Sequence, residues 1–366
     1  MTEKGNKIIP DNIFDCTKER VQDFFVVENK LNHFKNLVND LFINGKASEN
    51  ENQHIDFLKQ FIYIYNNLVI KGTQIVSVYS GNDLIFINPV FCNIKGLNQD
   101  EIYTRLESGE NMLHISYEGL NETILKARKY IAKILSNKII GYKNVEFKMP
   151  IQNKNGEQEI IPVLWNTIKL SNGITLRIGF KSFGKEEFFK EELIENIDLD
   201  KTLTFSKKVD SVINNMNISS FDKDDSFKNI RLMSLIVDFY IHFGSMPVSI
   251  YKASEPILLN EAFINLTGYS EKELIDHYRQ FGSITRLIYK GKDYLEVINY
   301  LEKLKKSGFT GDGYENVDFT ISSKPDEMGN YRRITIGWNT FIVGDLTVRS
   351  GIVKSIEEVN INTYTG

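Results

Sequence analysis

Cysteine is nearly missing from this chain. There are two among 366 residues, Cys16 and Cys92, and no C-x-x-C. That excludes a disulfide framework and a cysteine-built zinc site. Long apolar runs are missing as well. None approaches the length that a membrane-spanning helix needs, about 20 residues. The opening Met1-Thr2-Glu3-Lys4-Gly5-Asn6-Lys7 leads into no apolar core, so a signal peptide is not expected and the cytoplasm is. Neither sign of charge dominates. A net charge of −4 offers no general pull toward nucleic acid or an anionic membrane. No Ser-His-Asp or Cys-His constellation can be argued, and an enzyme is not expected.

What is present is ordinary in amount and unusual in arrangement. Apolar residues make up 42% and charged residues 25% of the chain, as in a soluble globular protein. The order of those residues repeats. Gly141-Tyr142-Lys143-Asn144-Val145-Glu146-Phe147 returns as Gly313-Tyr314-Glu315-Asn316-Val317-Asp318-Phe319, an offset of 172 (141 to 313). Val76-Ser77-Val78-Tyr79 returns as Val248-Ser249-Ile250-Tyr251 at the same offset. So do Asn88 as Asn260, Phe91 as Phe263, Gly96 as Gly268, Tyr117 as Tyr289 and Gly179 as Gly351. Trp165-Asn166-Thr167 returns as Trp338-Asn339-Thr340, one residue out of step. One inserted residue before the final hairpin and one deleted within it account for the drift. Such a period is too long for a solenoid, so two copies of one domain are expected. Each copy has about 125 residues, enough to bury a core.

Within a copy the pattern predicts strand, turn, strand, short helices, a long helix, then three strands. Ser80-Gly81-Asn82-Asp83 joins Ile75–Tyr79 to Leu84–Asn88. Residues 117–137 have helical spacing. Tyr142–Ile151, Ile160–Leu170 and Ile174–Phe183 alternate as strands joined by Asn- and Gly-rich turns. Hairpin-joined strands are antiparallel, so the fold class is α+β. An apolar-faced helix precedes each copy, at about 54–70 and 226–243, ending at Gly72 and Gly244. A further helix over 20–43 carries a heptad seam of Phe24, Val27, Leu31, Phe34, Val38 and Leu41. The linker is expected to hold an amphipathic helix at Glu186–Asn196, then a polar stretch at Asn214–Asp225. The expected organisation is an N-terminal helical segment (1–53), a first domain (54–184), a helical linker (185–225), a second domain (226–357) and a tail (358–366).

Copy two contains Asn260-Glu261-Ala262-Phe263, then Gly268-Tyr269-Ser270-Glu271-Lys272-Glu273-Leu274. Copy one has Asn88-Pro89-Val90-Phe91, then Gly96-Leu97-Asn98-Gln99-Asp100-Glu101-Ile102. With the long helix and the three-stranded finish, this resembles the PAS domain, a sensor module. The resemblance covers about 58–183 and 230–355. It implies two PAS-like domains in tandem, each a five-stranded antiparallel sheet with flanking helices. It also implies a signal-transduction role, through a small-molecule ligand or a protein partner, with the state relayed by the flanking helices. The family's usual output domains are not evident, so output is expected from a partner or from self-association through helices 20–43, 54–70 and 226–243. A ligand-free interaction scaffold, dimeric, is the alternative, and a haem-type cofactor sensor using His114 is a further one.

The residues themselves show how the signature builds a fold. Asn88 and Asn260 are placed to cap the helices that follow them. Gly96 and Gly268 allow a turn that a Cβ resists. Ser270 with Glu273 forms a capping box, and Asn98 with Glu101 a version of it. Trp165 and Trp338, the only tryptophans, share one strand position. With Tyr142, Phe147, Tyr314 and Phe319 they either line ligand pockets or pack the core, and packing is favoured. His114 lies where some family members hold haem, while copy two has Arg286 there; no cofactor is assigned. Cys92 reads as a small buried apolar group. Gly179-Phe180-Lys181-Ser182-Phe183-Gly184-Lys185 matches a phosphate-loop spacing but is followed by Glu186, which would repel phosphate.

Overall fold

A computed structural model describes residues 49–360, apart from 82, 153–155, 171–172, 183–189, 199–201, 216–219 and 307–313. The seam at 20–43 and Cys16 lie outside the described residues. The chain divides into two compact units, the first running to Tyr240 and the second from Ile241.

Among its described residues the first unit begins with α1 (Glu49–Tyr65), continued by a π turn at Asn66–Ile70. Ile55, Leu58, Phe61, Ile62 and Tyr65 are buried along one stripe, as the apolar spacing requires. Lys71 N–H donates to Asn66 O at 2.9 Å, closing the wider turn. Gly72 follows because nothing larger fits: a Cβ there would stand 1.8 Å from Leu68 O. Strands β1 (Ile75–Ser80) and β2 (Asp83–Ile87) form a hairpin. Four helices come next: α2 (Pro89–Lys95), α3 (Gln99–Glu107), α4 (Met112–Ser116) and α5 (Asn121–Leu135). Strands β3 (Gly141–Gln152), β4 (Gln158–Lys169) and β5 (Ile174–Lys181) complete the expected meander. Strand order is β2-β1-β5-β4-β3, antiparallel throughout, with a sixth strand β6 (Glu192–Ile194) beyond β3.

That sixth strand corrects the helix expected at Glu186–Asn196 over residues 190–196; residues 186–189 lie outside the described residues. Glu192–Ile194 pairs antiparallel with Gly141–Lys143, and Ile140 N–H donates to Ile194 O at 3.0 Å. The exposed edge of β3 has backbone groups that demand partners, and this short segment supplies them. Leu193 is exposed and Ile194 buried. Of the stretch expected to be polar, Asn214–Asp225, the described residues 214–215 and 220–225 lie in helices. Helix α6 (Thr204–Asn215) precedes α7 (Ser220–Phe243). Phe205 of α6 packs its ring 5.9 Å from Phe61 of α1. Arg231 of α7 pairs with Asp210 of α6 at 2.9 Å.

The second unit repeats the plan. Strands β7 (Val248–Lys252) and β8 (Glu255–Leu259) are followed by α8 (Glu261–Thr267), α9 (Glu271–Phe281), α10 (Thr285–Ile288) and α11 (Gly291–Lys306). Strands β9 (Tyr314–Ser322), β10 (Tyr331–Val343) and β11 (Leu346–Val359) close the sheet, in the order β8-β7-β11-β10-β9. Each unit is thus an α+β domain on an antiparallel sheet, with six strands in the first and five in the second among the described residues.

Register accounts for the one-residue drift. Phe147 faces Val163 on β4, and Phe319 faces Ile336 on β10. The inserted residue therefore falls in the β9–β10 connection. The deleted one falls in the β10–β11 hairpin, where Val343 faces Leu346 across Gly344-Asp345 alone. The repeated Gly-Tyr-x-Asn-Val motif marks a β-bulge. Register shifts between Tyr142 and Val145, and Asn144 has φ +56°. Its backbone N–H donates to Asn166 Oδ1 at 2.7 Å.

Candidate functional site

The two asparagines do more than cap. Asn88 Oδ1 accepts from Val76 N–H at 2.9 Å, while its Nδ2 donates to Val69 O at 2.9 Å and Gln74 O at 2.8 Å. Asn260, its repeat partner, does the same: Val248 N–H at 2.9 Å, Ile241 O at 3.0 Å and Met246 O at 2.8 Å. Each buried amide therefore ties the end of the entering helix, the connecting turn and the first strand together. Asn260 also caps α8 through Phe263 N–H at 2.9 Å. Asn88 makes no capping bond, and proline stands at the start of α2. The expected cap is thus correct for Asn260 only. Both capping boxes form in full, Asn98 with Glu101 and Ser270 with Glu273.

Trp165 and Trp338 are buried to within 1% of complete coverage. Trp165 lies on β4 opposite Gly179 of β5, and Trp338 on β10 opposite Gly351 of β11. Glycine is needed there. A Cβ at Gly179 would come within 2.8 Å of the Trp165 ring, and one at Gly351 within 3.0 Å of Trp338. The flattened indole then meets a residue that sequence reasoning missed. Two positions before each glycine is an arginine, Arg177 or Arg349. Their guanidinium carbons lie 4.4 Å from the Trp165 and Trp338 ring centres respectively.

Both arginines are buried, at 6% and 5% exposure. Arg177 Nη2 donates to Tyr117 Oη at 3.1 Å, and Arg349 Nη1 to Tyr289 Oη at 3.3 Å. Arg349 Nε also donates to Thr340 Oγ1 at 3.3 Å. Among the described residues neither pairs with a carboxylate. Burial pushes the Tyr117 hydroxyl up to about 12, against the pull of Arg177, so at neutral pH it carries no charge. Burial opposes the charge of Arg177 too; the net shift is upward because Tyr117, Tyr142 and Tyr79 attract it in their phenolate forms and Tyr117 accepts its hydrogen bond. A guanidinium keeps its charge inside a protein. Among the described residues no counter-charge sits beside either one.

Several donors in these clusters are also unspent. Arg177 Nε, Trp165 Nε1 and Thr167 Oγ1 find no hydrogen-bond partner among the described residues; nor do Arg349 Nη2 and Trp338 Nε1. Arg177 faces Thr167, and Gly179 faces Trp165, across one pair of strands, so these groups share one face of the sheet. An unsatisfied buried donor costs about 1–3 kcal/mol. A buried charge without a partner costs several. A desolvated cation–π contact returns only about 2 kcal/mol.

The other expected residues fall around these clusters. Tyr117 and Phe147 rings are 5.8 Å apart, and Tyr142 stands 6.4 Å from Phe147 and 5.0 Å from Tyr130. Tyr289 and Phe319 repeat the first pair at 6.4 Å. Tyr314 lies opposite Thr340 on β9; its side chain is outside the described residues. His114 is exposed on α4 and does not join the core. Cys92 is buried, and burial raises its thiol to about 11. Gly179 sits within β5, not in a phosphate-binding loop. No described helix is long and apolar enough to cross a membrane.

No family model matches the chain, and no curated protein does. Among solved structures it is similar to a domain of the sensory box sensor histidine kinase/response regulator from Geobacter sulfurreducens, at 17% identity over 32% of this chain and 90% of that one, with a TM-score of 0.23. A Light-Oxygen-Voltage (LOV) protein of Rhodobacter sphaeroides matches at 13% identity over 49% and 94%, with a TM-score of 0.24. An RNA-binding Light-Oxygen-Voltage receptor matches at 9% identity over 77% and 95%, with a TM-score of 0.23. At these scores the matches say nothing about ligand or activity.

Proposed function

We propose that this chain is a cytoplasmic, non-enzymatic sensory or regulatory module. Each of its two PAS-like domains takes up a small ligand or answers to a protein partner, and the flanking helices relay the state. The observation that carries this reading is the twofold asparagine clamp. Asn88 and Asn260 each bond at once to the first strand of a sheet and to a carbonyl in the last turn of the helix entering it. A shift of the sheet on ligand binding cannot leave Val69 O or Ile241 O where it was without breaking a buried bond. The route runs through α1 with its π turn and through α7. A ligand moves such an equilibrium only by binding one state better than the other. The exposed side of α1 is the proposed surface for a partner or a second copy; residues 232–241 of α7 are buried and offer none.

Native mass spectrometry of the full chain purified from its own host tests the reading. A retained small molecule is expected. Its removal should speed hydrogen exchange at residues 66–70 and 241–243. A bare chain whose exchange is identical before and after extraction would instead support a ligand-free scaffold.

A further inference from the structure

Two arginines at matching positions of the repeat lie buried on two tryptophans, and neither has a counter-ion among the described residues. A single stray donor would mean little, but this arrangement is built twice. Each copy has a glycine that lets the indole lie flat, a guanidinium on the indole, a tyrosine hydroxyl on one guanidinium nitrogen and at least one guanidinium nitrogen unspent. Every unspent nitrogen is a donor. What completes such a site is an acceptor with negative charge, because a carboxylate takes charge-assisted bonds from a guanidinium edge.

We propose that each domain core is a binding site for a small monocarboxylate with an apolar body, its carboxylate held by Arg177 in the first domain and by Arg349 in the second. This deepens the sensory reading and rests on it. The charge count selects the class. One guanidinium offsets one negative charge, whereas a phosphate dianion would bring a second into an apolar core with nothing to meet it. The surroundings select the body. In the first domain Tyr117, Tyr142, Phe147 and Trp165 belong to one buried apolar cluster, which suits a hydrocarbon or aryl group and not a sugar. Trp165 Nε1 and Trp338 Nε1 are further unspent donors on the two clusters.

The experiment uses the full chain, melted alone and with acetate, hexanoate, benzoate, hexanamide, benzamide or inorganic phosphate. Hexanoate or benzoate should raise the melting temperature, and the matching amides should not. Arg177→Met should weaken the first domain's response about tenfold or more, and Arg349→Met the second's. Without added anion both variants should fold at least as stably as the parent, since an uncompensated buried charge has been removed. Amides acting as well as carboxylates, phosphate acting better, or a response that survives in the double variant would each overturn the proposal. So would an Arg177→Met chain that fails to fold, because its guanidinium would then be satisfied by the protein itself. A neutral molecule retained from the host would overturn it too and leave the sensory reading standing. No retained molecule and no carboxylate response would remove both.

Discussion

In the first domain Arg177 lies 4.4 Å from the ring centre of Trp165; in the second Arg349 lies 4.4 Å from that of Trp338. Lys95, by contrast, has no such twin, since Thr267 stands at the matching position of the second copy. Lys95 is buried at the end of α2 and donates to Pro150 O on β3 at 2.9 Å. Thr267 is buried at the end of α8, where its own carbonyl accepts from Lys324 N–H at 2.7 Å, just beyond β9. The same joint, from short helix to the end of the third strand, is made by a long cation in one domain and by main chain in the other. The first domain also extends its sheet with β6. The domains therefore hold the face under the helices fixed and vary the perimeter. A perimeter joint needs only some donor and some acceptor. The inner face needs these groups at this register, because an indole over glycine leaves room for one arrangement.

The comparison can be broken most sharply at the tryptophans. Trp165→Ala and Trp338→Ala should each destabilise their own domain by about 3–5 kcal/mol, as large buried truncations do. Hydrogen exchange resolved by domain would read both. Loss in one domain and none in the other would mean the indoles are not equivalent. Next come the clamps. Asn88→Ala orphans Val76 N–H and the carbonyls of Val69 and Gln74, an effect of about 2–4 kcal/mol. Asn260→Ala should cost about 1 kcal/mol more, because Phe263 N–H loses its cap as well. Equal costs in denaturant melts would deny Asn260 that extra role.

The smallest effect concerns pH and only the first domain. Burial lowers the Lys95 ammonium to about 8 from an ordinary 10.5, with Glu118 pulling it up and Arg105 pushing it down. Between those values the unfolded chain holds a proton that the folded domain has released. Stability from this group therefore rises as pH rises from about 8 to 10.5, and is lowest below 8. Lys95→Met should flatten that rise in the first domain and leave the second unchanged, measured as the difference from the parent in paired melts. A parallel change in the second domain would assign the slope to another group.

Much of this was legible in the sequence, and the exceptions are physical. The repeat, the hairpins and their antiparallel sense follow from spacing and turn residues. The tryptophans and their aromatic neighbours stood out because the repeat returned them. Arg177 and Arg349 share the offset of the repeat, and that signal was open to view. They escaped because a charged residue within a strand reads as solvent-facing; only the pairing of Thr167 with Arg177 and of Trp165 with Gly179 turns it inward. The helix expected at Glu186–Asn196 gives way to a strand at Glu192–Ile194 because the apolar pair Leu193-Ile194 fits either period and no local signal shows that β3 has an open edge to fill. Helix α6 falls in the linker expected to be helical, and Phe205, Val209 and Val212 have the spacing that marks it. The asparagine clamps join atoms 12 to 19 residues apart, a distance at which a sequence suggests a cap and cannot reveal a tie.

The duplicated arginine–indole contact can be measured directly, since each domain has one tryptophan. Trp338→Phe leaves the emission of Trp165 alone, and Trp165→Phe leaves that of Trp338. Adding Arg177→Met to the first and Arg349→Met to the second should shift the remaining emission in both, in the same direction, while the crossed combinations leave it unchanged. Emission indifferent to its own domain's arginine in either case would contradict the account.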